Sequence, residues 1–259
     1  MAVLLDIVGS RVRYAVLLTL AKAYKLKVPV SPRAIVRVFG LNIPNTYSFM
    51  RKLVEVGLLM RTGSKYMLTE KGAKLVDFVL ELVPKLNDGF DELRATMPET
   101  MYYVVEPKYK EWFGVYKPLV MVDKALRNRD ILVGGNYVIV YVSFRGKVFK
   151  YDWDRYLSLA SVEQAYADLI SYDDQWISYI PDILLNLFRL DVEEVLKRAT
   201  YEGRRRLATA LAYYETFLGR KVPLRTDVYS LLDEKLLDDM IAFVTPLLID
   251  ERGLRVWKL

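Results

Sequence analysis

Apolar residues in the first third of the chain recur at helical spacing in three consecutive segments. In residues 11–24 they return every three or four positions, and Ser10 stands where a helix N-cap is expected. Pro32 tolerates the first helical turn and predicts a second helix, which ends at Gly40. Asn45 is the expected cap of a third helix, which continues to the next glycine.

Two short apolar segments then predict a β-hairpin. Residues 58–61 and 66–68 are separated by the turn sequence TGSK at 62–65. Thr69 is expected to begin a long amphipathic helix that runs to about Leu86. The expected buried side of that helix is formed by Leu75, Val76, Val79, Leu82 and Val83.

The pattern changes near residue 97, where short strands replace helices. Apolar runs at 102–105 and 119–122 precede clearer strands at 137–143 and 148–151, and the link FRGK predicts a hairpin between the last two. The following segments predict helices and a terminal strand: 161–171, 192–200, 203–218 and 231–244, then GLRVWKL at 253–259. We therefore expect an α+β protein with two domains, 1–94 and 95–259, the second containing a small sheet and several helices.

Charge divides the chain in a similar way. Residues 1–74 contain 13 Lys and Arg against three acidic residues, a net charge of +10, whereas residues 75–259 contain 25 against 29, a net charge of −4. A basic surface attracts polyanions, although cations also coat ordinary solvated faces. The bias indicates that the first domain contacts a negatively charged partner.

Composition removes several kinds of chemistry. The absence of cysteine excludes disulfides and thiolate metal sites, and the absence of histidine removes the commonest general base and metal ligand. The acidic cluster Glu163, Asp168, Asp173 and Asp174 is a candidate Mg²⁺ site, but no neighbouring lysine or phosphate-binding glycine loop accompanies it. We expect no enzyme activity, catalytic residue, metal or cofactor.

No apolar run approaches the roughly 20 residues that span a bilayer, so a cytoplasmic protein is expected. The composition would also suit a thermophile.

The first domain resembles a known family. The segment NIPNTYSFMRKLVEVGLLMRTGSKYMLTEKG, residues 42–72, is similar to the recognition helix, wing and following helix of MarR-like winged helix-turn-helix regulators. KLVEVGLL and LTEKG are its most specific parts, and the resemblance covers about residues 10–86. It implies a winged helix-turn-helix fold and binding to double-stranded DNA.

Candidate DNA contacts follow from that resemblance and from how such helices meet DNA. Small polar residues in the first turn of a recognition helix reach base edges, and cations farther along reach phosphates. The expected base contacts are Asn45, Thr46 and Ser48, and the expected phosphate contacts are Arg51 and Lys52. At the wing tip, Arg61, Ser64 and Lys65 are expected to reach the adjacent backbone or minor groove.

The second domain has a fainter resemblance. LASVEQAYADLI at 159–170 and RRRLATALAYYETFLG at 204–219 are similar to segments of AbiEi-type antitoxins of type IV toxin–antitoxin systems. This implies autoregulation and a nucleotidyltransferase-like toxin as partner, with Arg204, Arg205 and Arg206 as partner-binding residues. The residues alone also allow a plain reading, in which Ser161 caps an ordinary helix and Asp168 is a buried anchor for an arginine. Cations at the start of a helix oppose its dipole, so an acidic partner or an internal carboxylate is expected near the arginine run.

The resulting hypothesis is a sequence-specific transcriptional regulator, in the antitoxin case one that represses its own operon. A homodimer is expected, because one recognition helix reads only a few base pairs. The alternative is a protein-interaction or replication-associated winged-helix module that does not read sequence.

Overall fold

A computed structural model describes residues 9–109, 117–129, 135–218 and 229–245, together with residues 222, 224 and 227. The chain divides into two compact units. Unit 1 consists of Met1–Val104, Val120–Arg145 and Phe149–Leu159, and unit 2 of Val105–Leu119, Gly146–Val148 and Ala160–Leu259. The boundary expected between residues 94 and 95 stays a prediction. The strand expected at 253–259 lies outside the described residues.

Unit 1 begins with three helices, in the order that the sequence predicts. They are α1 (Arg11–Lys25), α2 (Pro32–Phe39) and α3 (Ile43–Glu55). The Ser10 hydroxyl accepts a hydrogen bond from the Arg13 N–H at 3.2 Å, which confirms the predicted start of α1. Helix α2 ends at Gly40, also as predicted. Each helix buries its apolar stripe in the core, together with the polar side chains of Thr19, Lys22 and Thr46.

The predicted hairpin is present. Strands β1 (Leu59–Thr62) and β2 (Lys65–Leu68) are antiparallel, with Thr62 opposite Lys65 at the turn. Gly63 occupies this turn at φ 65°, a conformation that favours glycine. Val30 and Tyr66 exchange backbone hydrogen bonds of 2.9 and 2.8 Å, which attach the hairpin to the link between α1 and α2.

The long helix expected after the hairpin is broken into two, so that prediction is wrong. Helices α4 (Glu70–Ala73) and α5 (Val76–Glu81) are separated where the Leu75 N–H donates to the Gly72 carbonyl three residues back. Gly72 lies close to the backbone, since a Cβ there would stand 2.2 Å from the Leu58 carbonyl oxygen. The turn places Val76 and Val79 in the core and leaves Leu75, Leu82 and Val83 half-buried.

A five-stranded sheet has the order β5-β4-β3-β7-β6, with β3 and β7 parallel. Its strands, with the preceding helix, are α6 (Asp91–Thr96), β3 (Tyr102–Val105), β4 (Leu119–Asp123), β5 (Val138–Val142), β6 (Phe149–Asp152) and β7 (Leu157–Ala160). Strands β5 and β6 lie at opposite edges, so FRGK is not a hairpin turn and that prediction is wrong. Helix α6 and strand β7 were not predicted.

A buried ion pair lies in the core of unit 1. Lys22 of α1 contacts the Glu99 carboxylate, and both side chains are almost completely inaccessible to solvent. Thr19 donates to the same carboxylate at 3.4 Å, and the Ser158 hydroxyl donates to the Glu99 carbonyl at 2.7 Å. Burial lowers the pKa of Lys22, and the adjacent Glu99 charge opposes that shift.

Unit 2 is mainly helical. Its helices are α7 (Val162–Tyr172), α8 (Ile180–Leu185), α9 (Val192–Arg198), α10 (Tyr201–Leu218) and α11 (Glu234–Phe243). The Ser161 hydroxyl caps α7 by accepting from the Gln164 N–H at 3.3 Å, as predicted, whereas α8 was not predicted.

The two units also contain single 3₁₀ turns, which are Lys124–Leu126, Trp176–Tyr179 and Tyr229–Leu231. The mixture of helices and strands confirms the α+β class. Within the described ranges, no helix has the length and apolarity needed to cross a membrane.

Candidate nucleic-acid interface

Helix α3 separates its core face from a polar face. Met50 and Leu53 are buried, in agreement with the prediction. Ser48, Arg51 and Lys52 are exposed on the other side, and we call these three residues the helix patch. The patch therefore has one hydroxyl and two cations available to a ligand.

The first turn of α3 differs from the prediction. Asn42, not Asn45, is the N-cap, and its side-chain oxygen accepts from the Asn45 N–H at 3.1 Å. Asn45 therefore lies inside the first turn, where its own side chain is exposed.

Thr46 is completely buried, so the expectation that it is exposed to a ligand is wrong. Its hydroxyl donates to the Asn42 carbonyl at 2.9 Å. The cap is three residues earlier than expected, and Thr46 lies four residues before Met50 and seven before Leu53, so helical periodicity places it on the same buried face. Of the three predicted base contacts, Asn45 and Ser48 remain accessible.

The hairpin carries a second exposed group, Arg61, Ser64 and Lys65, which we call the hairpin patch. The Arg61 Nε donates to the Gly63 carbonyl at 2.7 Å, so this side chain folds over the turn. The base of the hairpin is fixed by Thr69, whose hydroxyl donates to the Gly57 carbonyl at 2.7 Å. Helix α3 packs against β1, so both patches are carried by adjacent elements of unit 1.

Two further exposed cations were missed by the sequence reasoning. Arg33 and Arg37 lie four residues apart on α2 and line a surface pocket together with Val36, Ile43 and Tyr47. Their i,i+4 spacing on a predicted helix could have identified them as neighbours. They extend the set of exposed cations from α3 to α2.

The arginine run of α10 is used largely inside unit 2. Arg205 contacts the carboxylates of Glu202 and Asp233, the former at 2.9 Å. Arg206 donates to the Ile170 carbonyl at 2.8 Å. The expected carboxylate near these arginines is therefore present, and Arg204 is the most exposed of the three.

Asp168 is buried, as expected of an anchor. An arginine was the expected partner, whereas the structure shows the Lys147 ammonium 2.5 Å from the Asp168 carboxylate. The Gln164 side-chain amide also donates to it at 3.0 Å. Asp173 accepts from the Tyr179 hydroxyl at 2.6 Å. In the part of the chain that the structure describes, no group of three or more acidic side chains is arranged to hold a metal ion.

Comparisons with models of protein families, with curated proteins and with solved structures give no match to this chain. The resemblances to winged helix-turn-helix regulators and to AbiEi-type antitoxins therefore stay predictions. What bears on function is the geometry of unit 1: three helices, a hairpin and exposed cations on α2, α3 and the hairpin.

Proposed function

We propose that the chain is a sequence-specific DNA-binding protein that regulates transcription, with a winged helix-turn-helix in unit 1 as its DNA-binding domain. The observation that carries the proposal is the helix patch: α3 buries its apolar stripe and exposes Ser48, Arg51 and Lys52. In this fold α3 would be the recognition helix, with its first turn at base edges and its cations at phosphates.

The hairpin patch supports the same proposal. Arg61 and Lys65 extend the exposed positive charge beyond α3, on strands that pack directly against that helix. A wing with cations at its tip can reach the phosphate backbone beside the groove that the helix enters. The net charge of +10 in residues 1–74 favours association with a polyanion over association with a neutral protein surface.

The test compares the duplex upstream of the chain's own gene with a shuffled duplex of equal composition. Affinity is measured by fluorescence anisotropy over a series of salt concentrations. We expect tighter binding to the upstream duplex and a steep loss of affinity with salt, because bound cations release counterions from DNA. Arg51→Ala and Lys65→Ala are each expected to weaken binding and to reduce the salt slope by about one.

Lys25→Ala is the matched control, because it removes one exposed cation of α1 that already lies 3.5 Å from Asp77. It is expected to change the salt slope less than Arg51→Ala. Equal affinity for both duplexes would remove the sequence-specific part of the proposal and favour the alternative interaction module. Unchanged binding by Arg51→Ala and Lys65→Ala would remove the proposed surface.

A homodimer belongs to the same proposal, since two recognition helices read a longer site than one. Analytical ultracentrifugation of the full chain, with and without the upstream duplex, tests it. The role as an antitoxin rests on the AbiEi resemblance and is tested by co-purification with the product of a neighbouring nucleotidyltransferase-like gene.

A further inference from the structure

An apolar depression is lined by residues of α2 and α3. It is lined by Arg33, Val36 and Arg37 of α2 and by Ile43 and Tyr47 of α3. The five residues lie in two adjacent helices that pack against each other. The depression is therefore a built feature of the helix pair, and the inference drawn from it rests on the proposed DNA binding.

Ile43 is the least expected side chain in this depression. It occupies the first position of α3, directly after the cap residue Asn42, and it is 60% exposed. Ile43 lies seven residues before the buried Met50, so it continues the apolar stripe of α3 into the first turn, where it is exposed. Helix formation does not require an exposed β-branched apolar residue at the first position of α3. Contact with an apolar ligand group would remove this side chain from water.

The charges around the depression identify the kind of ligand. Arg33 and Arg37 are both exposed, and they project from the same face of α2 because they are four residues apart. The Arg37 guanidinium also lies 5.6 Å from the centre of the Phe149 ring, which restricts its position. An apolar contact lined by two arginines is complementary to a methyl group that lies next to phosphates.

In DNA, a methyl group next to phosphates occurs in the major groove. Among the four bases, only thymine carries a methyl group on its major-groove edge, and the phosphates of the backbone border that groove. An uncharged peptide or aliphatic ligand would fill the depression without giving the two arginines a partner.

We propose that this depression receives the 5-methyl group of a thymine, and that Ile43 is a residue that determines sequence specificity. Ile43 and Tyr47 contact the methyl group, while Arg33 and Arg37 bind the flanking phosphates. The proposal gives the interface a base preference that the polar residues Asn45 and Ser48 do not provide, since hydroxyl and amide groups do not distinguish thymine by its methyl group.

The test begins with selection of the full chain's preferred duplex from a randomised pool. Each thymine of the selected duplex is then replaced, one at a time, by deoxyuridine, which lacks the methyl group and keeps the hydrogen-bonding edge. We expect at least one position at which this replacement weakens binding of the wild-type chain about fourfold, the ratio that corresponds to one buried methyl group. With Ile43→Ala, the same replacement is expected to have a clearly smaller effect, because only the contact with Tyr47 remains.

Val56→Ala is the matched control, because Val56 is an aliphatic residue at the other end of α3 and is similarly exposed, at 53%. It should retain the fourfold effect of the methyl group. A thermal unfolding curve for each variant shows that it is folded.

Two outcomes overturn the inference. If the wild-type chain selects a sequence but no thymine position responds to deoxyuridine, or if the full fourfold response is retained in Ile43→Ala, the proposed DNA binding stands and the proposed methyl contact is wrong. If no sequence is enriched from the pool, the proposed function itself fails, and the methyl contact fails with it.

Discussion

Two clusters of cations in this protein differ in what surrounds them. In the helix patch, Arg51 and Lys52 stand exposed on α3. At the start of α10, Arg205 and Arg206 are near neighbours in sequence too, yet they contact carboxylates and a backbone carbonyl within unit 2. A run of basic residues is therefore a poor guide to a binding surface until the positions of nearby acidic groups are known.

The local sequence explains the difference. Glu202 lies one turn before Arg205 and Arg206, and Asp233, the cap of α11, approaches the same helix face. The acidic residue of α3, Glu55, lies at the end of the helix. Cations whose neighbours offer carboxylates stabilise the fold, and cations without such neighbours are available to a polyanion. Three substitutions test this division, beginning with the one expected to have the largest effect.

Removal of the carboxylate from the buried pair is expected to be the most damaging change. Glu99→Ala leaves the Lys22 ammonium in the core without its ionic partner, because both side chains are buried. Breaking such a pair typically costs about 3–5 kcal/mol of unfolding free energy. Urea denaturation followed by circular dichroism measures the change. By contrast, Arg51→Ala in the helix patch is expected to change stability by no more than about 0.5 kcal/mol.

The double variant Lys22→Met/Glu99→Leu serves as the control, because it replaces both charges with apolar groups of similar volume. It should recover most of the lost stability, since buried ion pairs contribute little beyond such replacements. If Glu99→Ala were as stable as wild type, the division between structural and available cations would not hold for unit 1.

Much of unit 1 was predictable from the sequence, for local reasons. Ser10 and Gly40 mark helix ends through backbone hydrogen bonding and conformation, which depend on neighbouring residues only. The hairpin was predictable because TGSK separates two short apolar segments. The cap of α3 was misplaced by three residues because Asn42 and Asn45 are both asparagine, and the pattern did not distinguish them.

The sheet was less predictable because its pairing is not local. Strand β7 pairs with β3 through Leu159 and Val104, which are far apart in sequence, and LSLA is too short to stand out as a strand. FRGK has the composition of a hairpin turn, yet β5 and β6 lie at opposite edges. In the candidate site, the residues of the helix and hairpin patches followed from the resemblance to winged helix-turn-helix regulators and from how such helices meet DNA. The depression at Ile43 required the packing of α2 against α3, which no single helix pattern contains.

The second substitution compares two arginines of α10. Arg206 lies 4.8 Å from the centre of the Trp176 ring and donates to the Ile170 carbonyl, whereas Arg204 is exposed. We expect Arg206→Ala to lower the unfolding free energy by about 1–3 kcal/mol and Arg204→Ala by no more than about 0.5 kcal/mol. Urea denaturation measures both. Equal effects would show that sequence position, and not the local contacts, determines the role of these arginines.

The third and smallest effect concerns pH. Asp88 contacts the fully buried guanidinium of Arg94, which also has Asp91 at 2.7 Å and the Arg155 carbonyl at 2.9 Å as partners. Partial burial raises the pKa of Asp88, but the hydrogen bonds from Arg94 and the Phe90 N–H, with the charges of Arg94 and Arg155, outweigh it, so this pKa lies below its ordinary value of 3.8.

The contribution of ionised Asp88 to stability is therefore complete above about pH 4 and is lost as the pH falls through the lowered pKa. Asp88→Asn should be less stable than wild type at neutral pH, by less than Arg206→Ala, because Arg94 keeps its other partners. The difference between variant and wild type should shrink in acid, where Asp88 itself becomes neutral. Asp77→Asn is the control, since that carboxylate is 88% exposed and lies 3.5 Å from Lys25. Urea midpoints at neutral pH and near pH 2.5 test this expectation. A difference that stayed constant with pH would mean that the charge of Asp88 does not stabilise Arg94. Asp91 and the Arg155 carbonyl would then be sufficient partners for this buried guanidinium.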